Sequence, residues 1–308
     1  MPERSPAPMA LPSHQRHLLA SAFVLLSGAG WGLFWLPARS FAEKGLDGAW
    51  LSLWLFVISL AVVVPFAIWN WRALHAAGSS FLITGLLTGP AFALYTVSLV
   101  ITDVIHALLL FYISPAWATL INWGRGEAIT ARRTLVLALA FAGLAIVLGI
   151  ADGLPLPRNL GDWLALIAGM MWAYGSTRSN AESSLVVTAP VAGFTIGGLL
   201  AALVLVSLPI EGVATPPTTE GLAHALPWMI LMAVAMFVPT TYALMWSTQV
   251  LDSGRVGILL MSEVVVGTVS AALLSGEAFG WSDAIGALLI VAAGFVEVTG
   301  ERPQSAAA

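Results

Sequence analysis

Apolar residues in this chain neither alternate, as in a half-buried strand, nor return every three or four positions, as in a soluble helix. They run on for 17 to 23 residues before a polar cluster intervenes. A bilayer core takes about 20 apolar residues in a helix, and ten such runs can be drawn: 18–38, 50–69, 80–101, 104–123, 134–151, 160–178, 185–207, 227–249, 255–274 and 283–299. The punctuation is Pro, Gly and charge, as in EKGLDG, ADGLPLPRN and PIEGVATPPTTEGLAHALP. Only TD separates runs three and four, so those helices must be antiparallel neighbours. The first run follows Arg16, contains Trp31 and Trp35, and has no clear small-residue cleavage site, so it reads as a retained helix rather than a signal peptide. The expected fold is an all-α membrane protein with ten transmembrane helices.

Arginine and lysine set the orientation. With the N-terminus inside, the inner segments hold Arg4, Arg16, Arg72, Arg125, Arg132, Arg133, Arg178, Arg255 and Arg302, against Arg39, Lys44 and Arg158 outside. Both termini are therefore expected in the cytoplasm. Trp50, Trp69, Trp71, Trp123, Trp228 and Trp281 fall near run ends, where an interfacial belt would place them.

The ten runs divide into two fives. A shift of 149 residues lays Pro90 on Pro239, Ser98 on Ser247 and Asp103 on Asp252. A shift of 150 lays GEAI at 126–129 on GEAF at 276–279, and one of 151 pairs Gly143 with Gly294 and Gly149 with Gly300. Five is odd, so the second copy must lie inverted. The organisation expected is a cytoplasmic tail at 1–17, a first repeat at 18–151, an inverted second repeat at 160–299 and a cytoplasmic tail at 300–308. Inverted halves with proline-interrupted helices place a substrate site near the midplane, and Pro90, Pro115 and Pro239 are the expected helix breaks and gating points.

Composition narrows the function. The chain is 59% hydrophobic and 9% charged, with mean hydropathy +0.91, whereas a soluble domain has roughly 25% charged residues. A net charge of −4 with one lysine, Lys44, argues against nucleic-acid partners. Without cysteine there are no disulfides, thiol catalysis or thiolate metal sites. No H-E-x-x-H, G-x-S-x-G, G-x-G-D or phosphate-binding G-x-x-x-x-G-K-[ST] pattern occurs, and of five histidines only His106 lies in a run. Neither an enzyme nor a nucleotide-driven pump is expected; no catalytic residue, metal or cofactor is assigned.

The run SEVVVGTVSAALLSGEAFG, 262–280, resembles the ninth-helix signature of the drug/metabolite transporter superfamily in its EamA-type branch: a Glu-Pro-Val start, a small and apolar stretch, and a closing Gly-Glu. Here these are Glu263 and the pair Gly276 and Glu277. The first-half counterpart ISPAWATLINWGRGE contributes Ser114, Pro115, Gly126 and Glu127, and Trp31–Gly32 and Trp172–Gly175 fit the openings of the two halves. One departure is that Val264 stands where the family has proline, leaving a local kink there without its usual cause. The resemblance extends over essentially the whole chain. It implies a central cavity lined by helices one, three, four, six, eight and nine, and an exporter similar to the aromatic amino-acid exporters of the branch.

Those helices also hold polar and aromatic residues away from the interfaces. Tyr95, Tyr112, Tyr174 and Tyr242 need hydrogen-bond partners that lipid cannot give, as do Trp31, Trp35, Trp172 and Trp246. All eight are candidate substrate-binding residues, together with His106. Gly28 with Gly32, and Gly193 with Gly197, have the four-residue spacing that lets backbones approach. Glu263 is the costly residue: a carboxylate at a bilayer centre costs about 2.5–3.5 kcal/mol on insertion scales. It shares a helical face with Val256, Leu259, Gly267 and Ser270. Two uses stay open for it, binding a substrate ammonium or coupling proton, and pinning helices together. Asp103, Asp252, Glu127 and Glu277 sit at helix ends, where capping is their default use. Arg39 and Arg178 are expected to face water or headgroups, and Glu297 to snorkel.

A small-molecule carrier accounts for these features together. No arginine or lysine lies deep in a run, so a strongly anionic cargo would lack a counter-charge. The expected activity is export of small amphipathic metabolites, first of all aromatic and other bulky apolar amino acids, by alternating access or facilitated diffusion. The alternative is proton-coupled export of cationic lipophilic drugs. The expected setting is a bacterial inner membrane, with the chain acting as a monomer.

Overall fold

The computed structural model describes residues 12–46, 48–102, 104–149, 156–208, 216–275 and 279–299. Asp103, Gly276, Glu277, Gly300, Arg4 and Arg302 lie outside the described residues. The described residues form helices only, with no strand among them. In chain order these are α1 (Ser13–Gly32), α2 (Trp35–Ala42), α3 (Gly48–Trp69), α4 (Trp71–Ala77), α5 (Ser80–Ile101), α6 (Val104–Phe111), α7 (Ser114–Gly124), α8 (Ala131–Val147), α9 (Leu160–Ala181), α10 (Thr188–Ser207), α11 (Thr219–Met232), α12 (Val238–Val250), α13 (Ser253–Leu260), α14 (Ser262–Ser275) and α15 (Trp281–Thr299). A five-residue π-helical segment, Ala233–Phe237, joins α11 to α12.

Counting interrupted helices as one where they continue, eight among the described residues are long and apolar enough to cross a membrane. The other two of the ten runs fall on α8 and α9. As described, α8 has only 17 residues. The 22 residues of α9 include Asp162 and the polar sequence Ser176 to Asn180, which lowers its hydropathy.

Burial is distributed as lipid requires. Leu26, Ile68, Leu273, Leu288 and Phe295 point outward, whereas Ser52, Thr88, Ser98, Thr195 and Ser247 are buried. The inward hydroxyls satisfy themselves on their own helices: Ser52 donates to Gly48 O at 3.2 Å and Thr195 to Val191 O at 2.8 Å. Trp69, Trp71, Trp123, Trp228 and Trp281 are exposed, as the belt reading expects, whereas Trp50 is half-buried with its indole nitrogen enclosed, because it lies in the first turn of α3 against the bundle.

Glycine sets the closest helix contacts. A Cβ on Gly85 would run into the backbone of Gly193, and one on Gly89 into that of Phe194, Gly197 and Gly198, so α5 and α10 meet main chain to main chain. On α1, a Cβ at Gly28 would strike Ser262 Oγ, and one at Gly32 would strike Glu263 O and Gly267 N. Both four-residue glycine pairs read in the sequence thus sit at close approaches, and Gly28 with Gly32 seats α1 against the start of α14.

The helix ends form two distinct layers. At one, Thr102 after α5 donates to Asp162 in the first turn of α9 at 2.6 Å. At the other, Asn180 of α9 donates to Leu251 O at 2.9 Å and Arg132 of α8 to Glu297 O at 2.8 Å. Ser21 on α1 accepts from Arg255 at 2.8 Å in this second layer, so the described chain begins and ends on the same side of the bundle. Glu297 lies there too. It does not snorkel; it is 5% exposed and its carboxylate pairs with Arg133 at 3.3 Å, because α8 brings two arginines to the end of α15.

Candidate functional site

Two helices stop and restart halfway along their length, and the site is built where the breaks meet. Between α6 and α7 the cause is Pro115, in the first turn of α7, which has no N–H to give. Between α13 and α14 no proline is present, yet the break occurs. Met261 N donates to Ile258 O at 3.2 Å and Val264 N to Met261 O at 3.0 Å, both three-residue closures. Leu260 O is thereby released from the helical ladder and lies 3.3 Å from the Tyr112 hydroxyl, whose single proton it shares with Glu263. Ser262 caps the junction from the other side, donating to Leu25 O of α1 at 3.1 Å. The kink is made by tertiary contacts in place of proline. It also corrects the continuous face drawn in the sequence: Val256 and Leu259 lie on α13, while Glu263, Gly267 and Ser270 lie on α14 beyond the break.

Glu263 occupies the first turn of α14. Tyr95 donates to its Oε1 at 3.3 Å, and Tyr112 donates to its Oε2. Among the described residues its hydrogen bonds come from these two phenols, and no ion pair joins it. Tyr112 is 1% exposed, and Tyr95 is stacked on Phe111 with ring centres 4.2 Å apart. The carboxyl is thus held at a fixed place by rings that are themselves fixed.

Above this layer lies a chamber of about 720 Å³, and below it a pocket of about 60 Å³. Trp31, Tyr95 and Glu263 line both, so together they form the partition. The chamber reaches Ala42, Gly48, Val104, Leu148 and Asp283, all at the first layer of helix ends. Trp35 is on its wall, with Nε1 donating to Ser270 Oγ at 3.0 Å. Arg39 also lines it, its guanidinium 4.8 Å from the Trp35 ring centre; it faces the chamber and not only water or headgroups. The small pocket holds Tyr112 and Trp172. Trp31 packs against Phe92 at 5.0 Å and Phe237 at 5.4 Å, which makes the partition an aromatic plug.

At the opposite end the bundle is closed by polar contacts. Thr177 and Ser253 hydroxyls are 2.6 Å apart, and those of Ser179 and Thr248 are 2.8 Å apart. Arg133 bridges Asp252 and Glu297. Asp252 also caps α13, accepting from Arg255 N at 3.1 Å. Arg178 is drawn into a neighbouring network with Glu182 at 2.7 Å and Ser80 at 3.0 Å, and away from the headgroup position expected of it.

The structure brings together Trp31, Trp35, Tyr95, Tyr112, Trp172 and Glu263. It does not bring the other four candidates there. His106 Nδ1 lies 3.6 Å from the fully buried Asp162 at the mouth end. Tyr174 is 44% exposed on the outside of α9. Tyr242 packs edge-on to Phe66 at 6.0 Å and Trp246 to Phe23 at 5.6 Å. Of the three prolines, Pro115 starts α7 after a break, Pro239 starts α12 after the π segment, and Pro90 sits within an unbroken α5. Phe92, Phe111 and Phe194 line the pocket but could not be told from lipid-facing phenylalanines in uniformly apolar runs. Asp283 at the mouth was equally silent, resembling an ordinary first-turn acid.

Residues 159–298 match the model of the EamA-like transporter family. A solved structure described as "Crystal structure of protein" is similar in fold, with a TM-score of 0.68 and 19% identity, covering 92% of this chain and 96% of that one. No curated protein matches. The family match and the eight apolar helices together mark a multi-pass membrane protein.

Proposed function

We propose that the chain is a secondary transporter of the drug/metabolite transporter type that exports small amphipathic metabolites, with aromatic and other bulky apolar amino acids as the first substrates. The observation that carries this reading is the chamber of about 720 Å³, open at one layer of helix ends and ending midway on Glu263 and its two tyrosines. Its size fits a drug-sized or smaller ligand. Trp31 and Trp35 offer faces to an aromatic ring, and Glu263 a partner to an ammonium group. The family match over 159–298 supports the transporter class.

Helix contacts support the inverted ten-helix reading. The pairs α3–α10, α8–α15 and α7–α13 join corresponding runs of the two halves, and α5–α9 has its counterpart in α1–α12. A pseudo-twofold axis in the membrane plane exchanges these pairs. With the arginine bias placing the termini in the cytoplasm of a bacterial inner membrane, the chamber opens outward and the polar layer around Arg133 closes the inner side. Alternating access then requires the partition and that layer to open while the mouth closes.

A second reading, proton-coupled export of cationic lipophilic drugs, is favoured by Glu263 having no ion-pair partner among the described residues. Proteoliposome flux separates the two. Tryptophan or phenylalanine uptake above protein-free vesicles supports the amino-acid reading; flux of a cationic dye alone supports the other. Equal flux with and without a pH gradient indicates a facilitator. Full flux by Glu263→Gln would falsify a role for the carboxylate in either.

A further inference from the structure

The two helix breaks meet at one phenol. Tyr112 stands in the turn between α6 and α7, its N–H bonded to Leu108 O at 2.9 Å. Its hydroxyl lies against Glu263 Oε2 and 3.3 Å from Leu260 O, the carbonyl freed where α13 ends. A phenol has one proton to donate, so it serves one of these acceptors at a time. The ring is held, being 1% exposed and packed edge-on to Phe111 at 5.4 Å; what is left to change is the direction of the O–H. Among the described residues no other donor reaches Leu260 O. Gly28 of α1 closes its far side, since a Cβ there would lie 3.0 Å from it. Tyr95 also donates to Glu263, but it stacks on Phe111 of α6, so of the two phenols Tyr112 is the one at the break.

We propose that Tyr112 is a positioning residue that couples the charge of Glu263 to α13, and through α13 to the closed end of the bundle. The proposal rests on the transport reading of Glu263 and deepens it. While the carboxylate is bare it holds the phenol proton, because a bond to an ionised acceptor is roughly twice as strong as a neutral one. Once a proton or a substrate ammonium neutralises the carboxyl, that advantage is gone and the hydroxyl turns to Leu260 O. The partition loses a charge-assisted bond, and the end of α13 is drawn toward the α6–α7 turn. The titratable groups facing the carboxyl are the two phenols; Arg39 and Asp283 line the same chamber toward its mouth, and α1 presents Trp31 and Gly32, which carry no charge. All eight residues of α13 are buried, and a helix of that length carries a displacement along about 10 Å of axis. Its other end is the closed layer: Asp252 caps it and holds Arg133, Ser253 meets Thr177, and Arg255 donates to Ser21 of α1. A pull at Leu260 therefore loosens those contacts while the partition is giving way.

The test is the rate of maleimide labelling of single cysteines in the full-length protein in lipid nanodiscs. Val256→Cys reports on α13 and leaves the hydroxyl pairs of the closed end in place; Ala168→Cys, equally buried on α9, reports on general loosening. Glu263→Gln removes the charge and keeps the shape. It should speed labelling at Val256→Cys by about fivefold, the difference between a charge-assisted and a neutral hydrogen bond, and hardly at all at Ala168→Cys. With Tyr112→Phe present, Glu263→Gln should change the Val256→Cys rate by less than about twofold, the non-additivity of groups acting as one unit; with Tyr95→Phe the acceleration should persist. The comparison of the two cysteines needs no change at Tyr112, so a poorly folded Tyr112→Phe cannot hide the result. Equal acceleration at both cysteines, none at either, or the same acceleration with and without the Tyr112 hydroxyl overturns the coupling and leaves the transport reading standing. Proteoliposomes that pass neither tryptophan nor a cationic dye overturn the transport reading, whatever the labelling shows.

Discussion

The two ends of the bundle are built differently. At the mouth, the polar contacts of Thr102, Asn159 and Asp162 fasten α5 to α9 beside the opening. At the closed end, Thr177–Ser253, Ser179–Thr248 and the Arg133 bridges run across it, tying α9 and α8 to the junction of α12 and α13. That end carries hydroxyl contacts and ion pairs across it in addition to its buried apolar side chains. Each hydroxyl bond exchanges for one to water at a net cost of only about 0.5–1.5 kcal/mol, and a bond to a charged group at about 1.5–3 kcal/mol. A seal of this kind can open and reform, whereas the glycine-lined α5–α10 seam, packed main chain to main chain, cannot.

The sharpest way to break the contrast is to make the seal permanent. Replacing both Thr177 and Ser253 by cysteine puts two thiols where hydroxyls now lie 2.6 Å apart, in a chain with no other cysteine. Oxidation should lower proteoliposome flux at least about tenfold, and reductant should restore it; unchanged flux after verified cross-linking would mean that this end never opens.

Next in size is Arg133→Ala. It removes the nearer of the two arginines paired with the buried Glu297 carboxylate, leaving Arg132 at 3.9 Å, and strips one side of Asp252; removal of one partner of a buried pair costs about 3 kcal/mol. Thermal unfolding in detergent should show a clear drop in midpoint, with Arg133→Lys losing less because the charge remains. Equal losses for the two would deny the charge any part in the seal.

A moderate effect is expected from accessibility. Thr96→Cys lines the chamber and should react with a membrane-impermeant maleimide from the mouth side, while Thr248→Cys, fully buried at the closed end, should react about tenfold more slowly or less. Similar rates at both positions would erase the difference between the ends. The smallest effect belongs to Tyr174→Phe. This hydroxyl stands outside the bundle, and its loss should leave flux within about twofold of wild type; a severe defect would show that the outer face of α9 takes part in transport.

Much of the fold was legible because the solvent imposes it. Run lengths, Trp belts and the four-residue glycine pairs follow from bilayer thickness and close packing; eight of the ten runs, five of the six belt tryptophans and both glycine pairs appear among the described residues where the sequence put them. Glu263 could also be singled out, since a carboxylate in an oily run needs a reason. The break before it was harder to read, because Val264 lacks the proline signal and the kink arises from Tyr112 and Ser262 bonding to carbonyls far away in sequence.

What the residues determined by themselves was which segments are apolar enough to leave water, where they must be punctuated, and which group among them is too polar to face lipid. What tertiary structure decided was direction. Tyr112 and Tyr174 have the same chemistry, yet one is 1% and the other 44% exposed. Helices that are apolar all round carry no stripe to say which side faces in. Their rotation is fixed by where glycines let neighbouring backbones touch, and that rotation sets Trp172 and Glu263 in the wall of one pocket while turning Tyr174 away from it.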